Sequence, residues 1–171
     1  MANKALLVTE LQNDYLWEKR KTKFPYDTKK LIAAANAAID RFAGEGCDVI
    51  YLLQIFPDTP SNHIIFDFSI AGTEGAGLYS ELHIASQHCF EKNAADAFLD
   101  PAFAAFMAEK QYSEIVLCGI DECGAVAATA KGARNTGADT AILRDATASR
   151  FPMNKLAPLR AELKALGIRY I

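Results

Sequence analysis

Four cysteines in 171 residues (Cys47, Cys89, Cys118 and Cys123) form no Cys-x-x-Cys pair. A disulfide framework is therefore not expected, and the thiols read as reduced groups of a cytoplasmic protein. The three histidines, His63, His83 and His88, have no spacing that suits zinc. Basic residues form no run and the net charge is −3, which argues against nucleic acid or an anionic membrane as partner. Apolar runs such as Ala5-Leu6-Leu7-Val8 are far too short to span a bilayer. The opening Met1-Ala2-Asn3-Lys4 and the polar Thr9-Glu10 soon after it lack the pattern of a signal peptide. Repeats, low-complexity segments and linkers are absent too, so residues 1–171 are expected to form one domain. A chain this long buries roughly 70% of its unfolded surface and needs no staples.

What is present alternates between two kinds of segment. Lys4–Thr9 is a short apolar run of strand length, and Asp48–Phe56 is a nearly continuous run of β-branched and large apolar residues, as in a strand covered on both faces. Between them, Asp27–Ala43 carries Leu31, Ile32, Ala35, Ala38, Ile39 and Phe42 at helical spacing, with Gly44 and Gly46 to stop it. Residues 57–87 are rich in Pro, Gly, Ser and Asp and read as a long irregular loop of the kind that often serves function. A short strand is expected at His88–Glu91. Asp100-Pro101 marks a helix start ahead of the stripe Phe103, Phe106 and Met107. Then follow a strand at Glu114–Cys118, an Ala-rich helix from about Cys123 to Asn135 and a strand at Thr140–Leu143. A helix marked by Leu156, Leu159, Leu163 and Leu166 leads to a last strand, Ile168–Ile171. This alternation predicts a three-layer α/β/α, Rossmann-like domain with a mostly parallel sheet.

In such sheets chemistry gathers beyond the carboxyl ends of the strands. That rule selects Thr9-Glu10, the loop after Phe56, Glu91-Lys92, Gly119–Cys123 and Arg144-Asp145. An acid, a lysine and a thiol thus fall on neighbouring loops. The glycine-rich Gly72-Thr73-Glu74-Gly75-Ala76-Gly77 has neither the spacing nor the position of a dinucleotide or phosphate loop. Asn13-Asp14 reads as a turn that anchors the first loop through side-chain-to-backbone bonds. Cys47, Cys89 and Cys118, on strands or their ends, read as core residues.

The opening Ala5-Leu6-Leu7-Val8-Thr9-Glu10-Leu11-Gln12-Asn13-Asp14-Tyr15 resembles the ALLVIDMQNDF opening of the isochorismatase-like superfamily, which includes nicotinamidases and other cysteine hydrolases. Ala71-Gly72-Thr73-Glu74-Gly75-Ala76 resembles its GTxGA loop. Lys92 with Ala97-Phe98, and Gly119–Val126 with Ala128-Thr129-Ala130, Gly137, Asp145-Ala146 and Ser149, resemble its lysine block and the signature around its nucleophile. The resemblance implies a six-stranded sheet in the order 3-2-1-4-5-6, and a thiolate assisted by an aspartate and a lysine that attacks a carbonyl-type carbon. It also implies a homo-oligomer.

Carried over residue by residue, the resemblance places Lys92 on the lysine column and Glu10 on the aspartate column, one methylene longer. The cysteine column falls on Ala125, whose methyl can neither attack nor donate. Cys123, two residues earlier, is a candidate repositioned nucleophile if the turn is rebuilt, for which Gly124 gives freedom; on a regular helix two residues rotate a side chain by roughly 200°. The expectation is a hydrolase of a small molecule acting on a C–N amide-type or vinyl ether bond through Glu10, Lys92 and Cys123. Vinyl ether hydrolysis, as in the superfamily's true isochorismatases, needs a carboxylic acid and water rather than a thiol. The alternative is an inactive descendant with a binding or structural role. No cofactor is called for, nor a metal, since Gln54-Ile55-Phe56-Pro57-Asp58 and Phe68 stand where nicotinamidases carry ligands. Ile64, Ile65, Phe66 and Phe68 are expected to cover the pocket or a subunit contact.

Overall fold

The computed structural model of the chain describes residues 3–171. Along β1 (Lys4–Thr9), Ala5 and Leu7 face one side of the sheet and Leu6 and Val8 the other, and all four are fully buried. A strand with both faces covered belongs at the centre of a parallel sheet, and β1 lies there. It pairs in parallel with β2 (Asp48–Gln54) on one side and β4 (Glu114–Gly119) on the other. With β3 (Cys89–Lys92), β5 (Asp139–Thr147) and β6 (Arg169–Tyr170), the order is β3-β2-β1-β4-β5-β6, parallel at every pair. This is the expected order, and its switch point falls between β1 and β4, where a crevice opens at the carboxyl ends.

Helices cover both faces. Besides the single turn α1 (Asn13–Leu16), α2 (Thr28–Gly44) packs Leu31, Ile32, Ala35, Ile39 and Phe42 against one face. The opposite face is covered by α4 (Pro101–Lys110), α5 (Ala127–Asn135) and α6 (Met153–Ala165), through Phe103 and Met107, Ala130 and Ala133, and Leu163. Asp100 starts α4 as expected, its carboxylate accepting from the Phe103 amide at 2.9 Å.

Several boundaries differ from expectation, each for a local reason. The 57–87 segment is not wholly irregular, since α3 (Pro60–Ile65) forms behind Thr59, whose hydroxyl accepts from the Asn62 amide, with Pro60 in the first turn. β2 stops at Gln54, and Phe56 pairs instead with Ile70. β5 runs on to Thr147, its register against β4 shifting between Leu117 and Gly119. Leu166 follows α6 and is exposed rather than part of its buried stripe. Of the cysteines expected in the core only Cys118 is buried; Cys47 is half-buried and Cys89 exposed.

Candidate active site

The residue just after β1 has an unusual backbone. Glu10 has φ +55°, in the left-handed region, and its amide donates to the Leu52 carbonyl at 2.8 Å. That conformation costs a non-glycine residue about 1–3 kcal/mol and persists only where the surroundings enforce it. The neighbouring β4 passes close enough that a Cβ on Gly119, itself at φ +117°, would lie 2.0 Å from the Thr9 carbonyl oxygen. Only glycine fits the point where the two strands part around the crevice.

Lys92, the last residue of β3, is 3% exposed. Its ammonium donates to the Glu10 carboxylate, to Gln54 Oε1 at 3.1 Å and to the Ala94 carbonyl at 3.0 Å. Three acceptors use all three of its hydrogens, so Lys92 holds Glu10 in place and supplies charge. Gln12 supports the arrangement: its amide bridges the Gln54 backbone in both directions, at 2.8 and 3.0 Å, and reaches the Ala76 carbonyl at 2.8 Å. Burial pushes the Glu10 carboxyl above its ordinary range, against the pull of Lys92 and with a further push from Asp121.

Glu10 opens onto a cavity of about 370 Å³ lined by Tyr15, Phe24, Tyr26, Phe56 and Phe68 on one side and by Ile120, Asp121, Cys123, Gly124 and Ala125 on the other, with Arg150 and Phe151 also in its wall. The size and the apolar lining with few polar groups suit a small organic ligand. Cys123 and Ala125 reach the same cavity because the chain from Glu122 to Val126 makes a π-type turn in which Gly124 leaves helical geometry (φ −117°, ψ −111°). The regular helix expected from Cys123 starts at Ala127 instead, and the rotation that would separate the two side chains does not apply. The Cys123 thiol is raised above its ordinary value by burial and by Asp121 and Glu122, against a hydrogen bond with Ser149.

Asp121 organises this wall. Its Oδ1 accepts from the Cys123 amide and the Ser149 hydroxyl, and its Oδ2 from the Tyr26 hydroxyl and the Arg150 amide, all at 2.8–2.9 Å. Arg150, held by its backbone, lays its guanidinium 5.5 Å from the Phe24 ring centroid and 5.4 Å from that of Phe151. Among the described residues it has no carboxylate partner. On the first loop, Asp14 accepts from the Ser69 amide at 2.8 Å and Asn13 donates to the Glu74 carbonyl at 2.8 Å, the anchoring role expected of this pair. A Cβ on Gly75 would lie 2.2 Å from Asp14 Oδ1, so the glycine of this loop is fixed by close packing.

Residues 4–163 match the family model of the isochorismatase domain. The chain belongs to the isochorismatase family. Solved structures with the same fold include the pyrazinamidase of Pyrococcus horikoshii in complex with zinc, 22% identical over 99% of this chain and 98% of that one, with a TM-score of 0.81. The nicotinamidase/pyrazinamidase of Bacillus subtilis is 23% identical over 98% of each chain, with a TM-score of 0.85. The N-carbamoylsarcosine amidase of Thermoplasma acidophilum is 23% identical over 98% and 95%, with a TM-score of 0.81. No curated protein matches the chain.

The residues of this family member do not fit a metal such as the zinc of the Pyrococcus structure. Among the described residues no three His, Cys, Asp or Glu side chains are placed so that they could hold a metal ion. Phe56 and Phe66 stack at 3.8 Å with Phe68 edge-on to both, while His63 and His83 pair with Asp58 and Asp40 in exposed positions. Of the residues selected from sequence, the fold brings Glu10, Cys123 and Ala125 to one cavity and ties Lys92 to Glu10; Arg144 and Asp145 lie outside that wall. Asp121, Tyr26 and Arg150 escaped sequence reading. Asp121 stood inside the selected Gly119–Cys123 loop, which was the one signal available for it.

Proposed function

We propose that this chain is a hydrolase of a small, carboxylate-bearing molecule in which Glu10 is the acid and base, Lys92 is its charge partner and water is the nucleophile. The observation that carries this reading is the buried Glu10–Lys92 pair at the edge of an aromatic cavity, with Glu10 in a costly backbone conformation and its carboxyl held toward the protonated form. Arg150, without a carboxylate of its own, suits the substrate's anionic group. Of the two bond types expected, the vinyl ether fits better, because Ala125 provides no nucleophile. Glu10 protonates the alkene carbon remote from the ether oxygen, that oxygen stabilises the oxocarbenium ion formed at the adjacent carbon, and water adds to this oxygen-bearing carbon and returns a proton to Glu10. The hemiketal then collapses to a carbonyl compound and an alcohol.

A second reading keeps C–N amide-type chemistry with Cys123 as nucleophile. It is favoured by the Gly124 turn that brings the thiol to the cavity and opposed by the thiol's raised pKa. A third, a non-catalytic ligand-binding protein, draws on the alanine at 125. A panel of carboxylate-bearing vinyl ethers and amides, assayed with wild type, Glu10→Gln and Cys123→Ser, separates them. The expected result is vinyl ether turnover lost in Glu10→Gln and kept in Cys123→Ser. Amide turnover lost in Cys123→Ser supports the thiol, and ligand binding without turnover supports the non-catalytic protein; either overturns the first reading.

A further inference from the structure

The chain carries a net charge of −3, yet the wall of one cavity, of about 680 Å³, brings together Arg144, Arg160, Lys164 and Arg169 around Ile168 and Tyr170. This cavity lies at the β6 edge of the sheet, between α6 and the end of the chain, and shares no lining residue with the Glu10 cavity. Two of the four cations are already satisfied. Arg169 pairs with Asp139 at 2.7 Å and lies 3.8 Å from Glu114, and Arg160 forms a two-pronged pair with the buried Glu122, at 2.7 and 2.9 Å. Arg144 and Lys164 make no ion pair among the described residues, so two of these four cations are left without a carboxylate side chain.

Two of the donors, Arg160 and Arg144, are also held in place. Glu122 fixes Arg160 through Nε and Nη2, which leaves Nη1 for another acceptor. Glu122 also accepts from the Tyr170 hydroxyl at 2.8 Å. The Tyr170 ring in turn carries the Arg144 guanidinium at 5.5 Å and that of Arg160 at 5.7 Å from its centroid. Arginines locked by a buried carboxylate and a shared ring lose little freedom when they bind a ligand. Cationic donors from β5 and α6 around one concavity suit an anion with more than two acceptor oxygens.

We infer that this edge cavity is a second binding site, for a phosphate-class anion, free or as an ester. The inference stands apart from the proposed function and fails or holds separately from it. Calorimetric titration of the full chain with pyrophosphate, and in parallel with ADP, tests it. Wild type is expected to bind about one pyrophosphate per chain, more weakly as salt is raised. Arg144→Ala/Lys164→Ala is expected to weaken binding at least about tenfold, given the usual strength of hydrogen bonds to charged groups, with an unchanged unfolding temperature. Tighter binding of ADP than of pyrophosphate assigns an ester, and equal or weaker binding a free anion. Absence of binding at millimolar pyrophosphate, or binding unaffected by the double substitution, overturns the site.

Discussion

Glu10 and Lys92 touch in a place that water hardly reaches: the Lys92 side chain is 1% exposed and that of Glu10 12%. In such a pair the loss of one partner is felt unequally. Glu10→Gln removes the carboxylate that faces Lys92 and leaves a buried ammonium with only neutral acceptors, at a cost of about 3–5 kcal/mol. Lys92→Met leaves Glu10, whose pKa burial already raises and which then loses the opposing pull of Lys92, so it can shed its charge by taking up a proton. Urea unfolding at neutral pH should therefore find Glu10→Gln the less stable variant, and the reverse order would contradict the account of the pair. Both residues were legible in the sequence because Lys92 ends a strand and Glu10 directly follows one, where a parallel sheet exposes its chemistry. Arg150 was not, since its place depends on Asp121 and on a Tyr26 hydroxyl 95 residues away in sequence from that carboxylate.

Among the elements, the turn from Glu122 to Val126 departs most from a sequence reading. Alanine-rich composition favours a regular helix, but the Asp121 carboxylate takes the Cys123 amide and Gly124 leaves helical geometry. Local propensity could not anticipate this, because what competes with the helix is a set of contacts from distant loops. The same turn is tied to α6 through Glu122. Burial acts to raise its pKa, but hydrogen bonds from Arg160 and Tyr170 prevail and hold it below the ordinary 4.5. The folded chain thus binds this proton less tightly than the unfolded one. The pair's stabilisation is full above the ordinary value and is lost as pH falls through the lowered one. Glu122→Gln should lose stability near neutral pH and show a smaller further loss on acidification than wild type, as followed by thermal unfolding. Equal acid sensitivity of the two chains would show that Glu122 does not carry it. Asp100-Pro101 and the apolar stripes of α2 and α4, by contrast, were readable because capping and helical periodicity are local.

At the scale of the whole molecule, the parallel sheet, its order and its two covered faces agree with the sequence reading, and among the described residues no helix is long and apolar enough to cross a membrane. The surface leaves Ile64 84% and Ile65 67% exposed on α3, beside the stacked Phe56 and Phe66. We propose that the chain assembles as a homo-oligomer that covers such groups; light scattering should give a mass at least twice that of the chain, and a monomeric mass would refute it. The account as a whole rests on Glu10 holding a proton more tightly than an ordinary glutamate. The direct measurement is a carbon-detected NMR titration of the side-chain carboxyls, with the Glu10 signal identified by its loss in Glu10→Gln. The account predicts a Glu10 midpoint above the ordinary 4.5; a midpoint below it would mean that Lys92 outweighs burial, and would contradict Glu10 as the proton donor of this site.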